Sequence, residues 1–117
     1  MTEFAAARTQ RGAGRVHVPR MPYVVDVALA ATKRFKHAIL VNTKPPVAFF
    51  AYPNKPSLLL SEECQIHTLA AVPEDGPQAL VDLAKMLGAE NAEIQRQPSD
   101  LPEMPVGNLD SDTISAV

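Results

Sequence analysis

The chain has 117 residues, 46% of them hydrophobic, which is enough for one small domain with a buried core. Its net charge of −2 argues against a dedicated nucleic-acid-binding protein, and no apolar run reaches the ~18 residues of a membrane span. The single cysteine, Cys64, excludes an internal disulfide, and the sequence shows no secretory apolar segment. We therefore expect a cytoplasmic protein that binds neither nucleic acid nor membrane.

The amino-terminal residues combine basic charge with a glycine-rich turn. Residues 1–20 hold four arginines against one glutamate, and the order Arg-Gly-Ala-Gly-Arg follows an alanine-rich start. Glycine lets a backbone approach a ligand closely, and the arginine fork matches phosphate. The phosphate-binding candidates here are Arg8, Arg11, Gly12 and Gly14. A solvated basic stretch is the favoured alternative, and the spacing does not match the dinucleotide-binding glycine motif.

A strand, a helix and a second strand are predicted over residues 16–42. The Val-His-Val alternation at 16–18 predicts a short strand, and residues 23–36 place apolar side chains on one helical face. Residues 37–42 form an apolar run typical of a strand buried on both faces. This order predicts a βαβ unit in an α/β fold with a parallel sheet.

The polar loop after the 37–42 strand is the second candidate site. Open α/β sheets place ligands at the carboxyl ends of their strands. Asn42, Thr43 and Lys44 could cradle a phosphate or a ring there, and a proline-stiffened connector is an equal alternative.

Aromatic and histidine side chains are interpreted as packing residues. Phe49, Phe50 and Tyr52 could stack on a flavin or adenine, but core packing is the favoured interpretation. No cysteine or acid lies at metal-ligand spacing from the histidines, so we predict ordinary part-buried side chains and no zinc site. The histidines are His17, His37 and His67.

The carboxyl-terminal half predicts one strand, one well-delimited helix and a linker. Residues 65–70 alternate as in a strand, and a helix is expected to begin near Pro77 and end before Gly88. Residues 89–107 are proline-rich and acidic, as in an extended linker. Asp110 or Ser111 could cap a further helix. We predict one unit over 1–89 and a linker with the start of another domain over 90–117.

Three segments resemble the thiamine diphosphate-dependent enzymes, and most closely the acetolactate synthase large-subunit-like branch. They are the glycine-arginine turn over 8–15, the Arg-x-Pro-Tyr step at 20–23 and, above all, Lys-Pro-Pro-Val-Ala-Phe-Phe-Ala-Tyr-Pro-Asn-Lys-Pro-Ser at 44–57. Residues 96–117 resemble the linker into that family's C-terminal diphosphate-binding domain.

The resemblance implies the second half of a six-stranded, doubly wound, Rossmann-like middle domain. In the family this domain is mainly structural and holds FAD or ADP in some members, while thiamine diphosphate and magnesium are bound elsewhere. The activating glutamate belongs to the N-terminal domain, and a Gly-Asp-Gly motif of the C-terminal domain holds the metal. This sequence contains no Gly-Asp-Gly, so no catalytic or metal-binding residue is carried over, and no cofactor is expected for the chain in isolation.

The chain departs from the family at two glycine positions. The family tends to have Gly-Ala after the central strand and Gly before Lys-Pro, whereas this chain has Asn42-Thr43 and Asn54. Asparagine tolerates the left-handed conformation best among non-glycine residues, so the backbone path is expected to persist. The added side chains would crowd a nucleotide at these positions.

Three hypotheses follow from the resemblance. The leading one is an incomplete, structural middle domain without catalysis of its own, whose exposed sheet edge invites self-association or a covering partner chain. The second is a subunit of a split thiamine enzyme that acts on 2-keto acids. The third is a free-standing module that binds FAD or another adenine nucleotide.

Overall fold

The computed structural model describes residues 1–4, 9–100, 103–108 and 110–115. Their secondary structure, in chain order, is α1 (Val25–Thr32), β1 (His37–Val41), β2 (Gln65–Ala70), α2 (Gly76–Met86) and α3 (Ser111–Ser115). The chain divides into two compact units. The first contains Pro19–Glu93 with the described residues of Met1–Ala7, and the second contains the described residues of Arg8–Val18 and Ile94–Val117.

The two strands of the first unit form a parallel pair. His37 lies opposite Gln65, and the register continues to Leu40 opposite Thr68. An irregularity follows, so that Val41 lies opposite Ala70. The parallel α/β arrangement and the positions of these two strands are thereby confirmed. The predicted burial of β1 on both faces is wrong, because Leu40 is buried whereas Ile39 is 60% exposed. The predicted βαβ unit over 16–42 is also wrong, because β1 pairs with β2 and no strand precedes α1 at 16–18. The described sheet has two strands, and its place in a larger doubly wound sheet stays a prediction.

The connection between the strands, residues 42–64, doubles back on itself. Ala48 donates its N–H to the Ser57 carbonyl at 2.8 Å, and Leu59 donates to the Pro46 carbonyl at 2.9 Å. Val47 and Leu58 form a single antiparallel bridge at this point. The second apolar run therefore packs as part of a folded-back loop, and this loop returns the chain to the start of β2.

Helix α1 packs on this loop to form a small core. Val25, Ala28 and Leu59 are buried together, and Leu29 packs against them. Thr32 ends the helix with a side chain that is only 1% exposed. Its Oγ1 donates to the Leu59 carbonyl at 2.8 Å, because a buried hydroxyl needs an acceptor. The apolar face predicted for this helix is confirmed by these buried residues.

The predicted end of α1 and the predicted first strand are both wrong. The helix stops at Thr32 rather than at residue 36, because Phe35 donates to the Thr32 carbonyl and the Lys36 carbonyl already accepts from Gln65. Residues 16–18 form no strand, because no ladder partner for them exists among the described residues. A single bridge between Thr2 and Arg20 is all that forms nearby.

Helix α2 begins and ends as predicted. Asp75 caps it by accepting the Gln78 N–H on Oδ1 at 3.0 Å. Gly88 follows the helix at φ 64°, a left-handed conformation that suits glycine. Its predicted apolar stripe is only partly covered, since Leu83 is half-buried whereas Leu87 is 72% exposed.

The described part of 89–107 contains neither helix nor strand, in agreement with an extended linker. Asp110 then caps α3 by accepting the N–H groups of Asp112 and Thr113 on Oδ1. The predicted cap is confirmed, and the predicted boundary at residue 90 stays a prediction. Within the described ranges, no helix is long and apolar enough to cross a membrane.

Candidate functional site

Asn42, at the carboxyl end of β1, uses its side chain to hold the fold. Its backbone is left-handed at φ 50°. Its Nδ2 donates to the carbonyls of Ala71 and Glu74, both at 2.8 Å, while its backbone N–H donates to Ala70 at 2.9 Å. Asn42 therefore ties the end of β1 to the turn that joins β2 and α2.

Gly76 provides the space that the Asn42 side chain occupies. A Cβ at position 76 would lie 1.7 Å from Asn42 Oδ1 and 3.0 Å from Val41 Cγ1. The same turn is closed by the Ala71 N–H, which donates to the Glu74 carboxylate at 2.5 Å. The carboxyl edge of the strand pair, where a ligand was predicted, is thus filled with internal hydrogen bonds.

Of the two other predicted residues of this loop, Thr43 has a partner inside the protein and Lys44 faces solvent. Thr43 donates its hydroxyl to Glu3 Oε1 at 2.6 Å, so this side chain also has an internal partner. Lys44 is exposed to solvent. A ligand at this edge would meet the Lys44 ammonium rather than the Asn42 amide or the Thr43 hydroxyl.

The glycine-rich turn in the second unit is fastened to Gln97. Gly12 and Gly14 have φ values of 100° and 72°, which only glycine adopts readily. Gly12 donates to Gln97 Oε1 at 2.8 Å, Gly14 donates to the Gln97 carbonyl at 2.9 Å, and the Gln97 N–H donates to Arg15 at 2.8 Å. The Gly12 and Gly14 N–H groups, which were expected to face a phosphate, therefore join this turn to the segment around Gln97.

An open groove of about 530 Å³ lies beside this turn. Its basic groups are Arg15 and Arg96, and Val16 and Val18 add apolar surface. Arg96 donates to the Gly14 carbonyl at 3.2 Å. Sequence reasoning missed Arg96, because nothing local links it to a turn 82 positions away.

The predicted site residues fall into two groups. Gly12 and Gly14 share the turn just described, with Arg11 directly beside them in the second unit, whereas residues 42–44 lie in the first unit. Arg8 lies outside the described residues. Ligand binding by either group stays a prediction.

The aromatic residues form an exposed cluster, so the favoured interpretation of core packing is wrong. Phe49 and Phe50 are 59% and 55% exposed and stack edge-to-face with ring centroids 4.7 Å apart. Phe4 and Tyr23 extend the cluster through Phe49, and Tyr52 extends it through Phe50. The pKa of Tyr23 is raised above its ordinary 10.0, mainly by desolvation and to a smaller extent by a hydrogen bond with Tyr52. The rings therefore pack against one another at the surface and do not belong to the buried core.

The histidines are exposed, which corrects the prediction of part-buried side chains. His37 Nδ1 and His67 Nε2 lie 3.1 Å apart across the strand pair. In the part of the chain that the structure describes, no cluster of three or more potential metal ligands occurs.

Comparison with known proteins supports the resemblance in its coarser form. No family model matches the chain, and no solved structure does. The chain is 36% identical over 102 residues to the "Putative acetolactate synthase large subunit IlvX" of Mycobacterium tuberculosis. The match includes 87% of this chain but only 19% of that relative. This protein is thus similar to a short segment of an acetolactate synthase-type large subunit.

Proposed function

We propose that this chain supplies part of the middle domain of an acetolactate synthase-type, thiamine diphosphate-dependent enzyme, and that its role there is structural. The observation that carries the proposal is the 36% identity, which extends over 87% of the chain. Similarity spread along a whole segment is what shared packing produces. A shared catalytic motif alone would give a short, local match.

The hydrogen bonds at both predicted sites support a structural role. The Asn42 amide is used twice to close the edge of the strand pair, and the Gly12 and Gly14 amides are used to hold Gln97. Donors that already have partners inside the protein gain little from a ligand, because binding would first have to break those bonds.

No catalytic or metal-binding residue of the resembled family is assigned to this chain in our proposal. Magnesium at a diphosphate is usually held by one or two protein carboxylates together with phosphate oxygens, and the Gly-Asp-Gly motif of the family does not occur in this sequence. Our proposal therefore includes no catalytic step for this chain. In our proposal, thiamine diphosphate and magnesium are held by other domains of the parent enzyme, and FAD or ADP is not required.

A segment exchange tests the proposal. The 102 matched residues of the mycobacterial relative would be replaced by the corresponding residues of this chain. We expect the chimera to keep the oligomeric state of the relative and to unfold cooperatively, as measured by light scattering and circular dichroism. The matched control is the same chimera with Gly76→Ala, which should be clearly less stable. A chimera that aggregates, although this chain folds cooperatively alone, would contradict the proposal.

A subunit of a split enzyme that acts on 2-keto acids is the second candidate. The similarity to a large subunit of this enzyme type, which extends over 102 residues, supports this candidate as well. The relative lacking its matched segment would be mixed with this chain, and consumption of a 2-keto acid would be measured. Activity that depends on both chains supports the split enzyme. A functional chimera without activity in the mixture supports the structural segment in one polypeptide.

Exposed apolar side chains favour a covering partner in either case. Ile39 on β1 is 60% exposed and Leu87 after α2 is 72% exposed. We propose that another copy or another domain covers this part of the first unit, because such side chains gain about 1.5–3 kcal/mol each on full burial. Sedimentation would compare the self-association of the unaltered chain with that of Ile39→Lys. Self-association that is lost in the variant would show that a second copy covers Ile39.

A further inference from the structure

We propose that His37 and His67 form a bidentate binding site for a divalent late transition-metal ion such as Zn²⁺, Ni²⁺ or Cu²⁺. The two imidazoles are exposed, and their facing nitrogens, Nδ1 of His37 and Nε2 of His67, lie 3.1 Å apart. This inference rests on one pair of side chains and on no resemblance. It concerns the chain by itself, in which the strand face that carries Ile39 is uncovered.

The strand pair places both rings on the same face. His37 lies opposite Gln65, and His67 is two positions further along β2, opposite Ile39. Side chains two positions apart on a strand point to the same side, so the rings of His37 and His67 meet diagonally across the pair. Gln65 donates its N–H to the Lys36 carbonyl at 2.9 Å, which fixes the register at the base of the site.

The nitrogen separation matches that of two ligands on one metal ion. Metal–nitrogen distances of about 2.0–2.1 Å and a separation of 3.1 Å give an angle of about 95–100° at the metal. That angle lies between the right angle of cis ligands in an octahedron or square plane and the angle of a tetrahedron. The ring centroids lie 5.4 Å apart, so the facing nitrogens point at each other as in a hydrogen bond. Both rings must therefore rotate to direct their lone pairs at one ion, whereas the two strands can stay in place.

Metal binding also requires a redistribution of protons in the rings. In the metal-free pair, one imidazole donates its N–H to the other ring. With the ion bound, both facing nitrogens offer lone pairs, so His37 carries its proton on Nε2 and His67 carries its proton on Nδ1. Neutral imidazole is a preferred ligand of zinc, nickel and copper, whereas magnesium and calcium prefer oxygen.

The surroundings of the pair are mainly apolar on one side. Ile39, Leu69 and Leu83 line an adjoining groove of about 360 Å³. An apolar wall restricts access of water to that side of the ion and strengthens its electrostatic interactions with the ligands. The coordination positions on the solvent side remain for water.

Titration of the purified full chain with Zn²⁺ or Ni²⁺, followed by calorimetry, tests the site. We expect one ion per chain in the unaltered protein and about a 10²-fold loss of affinity in either His37→Ala or His67→Ala, since each leaves a single ligand. His17→Ala is the matched control and should bind as the unaltered protein does. Equal affinity in all variants, or loss of binding in His17→Ala alone, would overturn the proposal.

Electron paramagnetic resonance of the unaltered chain with one equivalent of Cu²⁺ provides a test that needs no substitution. Coupling of the copper to two imidazole nitrogens supports the chelate. Coupling to one nitrogen, or to none, rejects it even if the alanine variants fail to fold. Circular dichroism of each variant identifies which of them keep the fold.

Discussion

Two asparagines adopt the same unusual backbone conformation and use their side chains differently. Asn42 has φ 50° and Asn54 has φ 60°. Both asparagines therefore adopt the left-handed conformation that glycine favours, while persistence of the family's backbone path stays a prediction. The Asn42 amide donates to two carbonyls, whereas Asn54 is exposed in a turn closed by the backbone of Lys55 and Tyr52.

This difference shows that one backbone requirement can be met with or without a structural use of the side chain. At position 54, asparagine only tolerates the left-handed conformation that the turn needs. At position 42, it also fills the space next to Gly76 and satisfies two carbonyls of the following turn. Substitutions at the two sites should therefore have unequal effects on stability.

The largest effect is expected from Gly76→Ala. The new Cβ would lie 1.7 Å from Asn42 Oδ1, so the Asn42 side chain would have to leave its place and give up its hydrogen bonds. We expect a loss of about 3 kcal/mol in the free energy of unfolding, measured by urea denaturation.

Two controls accompany this substitution. Gly88→Ala introduces a side chain at φ 64° with no atom within 4 Å, so it should cost only about 1 kcal/mol. The double variant Asn42→Gly/Gly76→Ala should lose about 1–2 kcal/mol less than the sum of its single changes, because the obstructing side chain is gone. Strict additivity would show that Asn42 does not occupy this space.

Asn42→Gly and Asn54→Gly compare the two positions directly. Glycine keeps the left-handed backbone free of strain, so each substitution isolates the contribution of the side chain. We expect Asn42→Gly to cost about 2 kcal/mol for two lost hydrogen bonds, and Asn54→Gly to change stability by less than about 0.5 kcal/mol. Similar urea midpoints for the two variants would contradict the assigned role of Asn42.

Thr32→Val and Thr43→Val extend the comparison to hydroxyl groups. Thr32 is 1% exposed and donates to the Leu59 carbonyl at 2.8 Å, so its loss leaves a buried acceptor unsatisfied and should cost about 1.5 kcal/mol. Thr43 bonds to Glu3 at an exposed position, and its replacement should cost less than about 0.5 kcal/mol. Thermal unfolding monitored by circular dichroism measures both values, and the reverse order would show that burial does not decide them.

Local signals explain which parts of the fold were predictable. The proline at 77 and the glycine at 88 lie within or next to α2, so they predict its limits without knowledge of any distant residue. The cap at Asp75 is an equally local signal that the sequence analysis did not use. Strand β2 (Gln65–Ala70) was likewise predicted with its correct bounds. The strand predicted at 16–18 failed because a strand also needs a partner, and its own sequence does not specify one.

Distant contacts explain what was missed at the candidate sites. The two carbonyls that accept from Asn42 are 29 and 32 positions away, and Gln97 is 85 positions from Gly12. The sequence identified these residues as unusual, through glycine at the turn and asparagine after a strand. It could not tell whether their polar groups face a ligand or the protein, because the partners are set by the tertiary fold.

The smallest effect concerns Asp110, whose side chain holds a helix start as the Asn42 amide holds a turn. Hydrogen bonds from the backbone and side chain of Thr113 lower the pKa of Asp110 below its ordinary 3.8. The charged carboxylate thus stabilises α3 fully at pH values above the ordinary pKa of 3.8. This contribution disappears as the pH falls through the lowered pKa. We expect the amide resonances of Asp112 and Thr113 to shift together in this acidic range in an NMR titration. Asp110→Asn keeps an acceptor oxygen but no titrating group, so it should abolish the shift, whereas an unchanged shift would assign it to another acid.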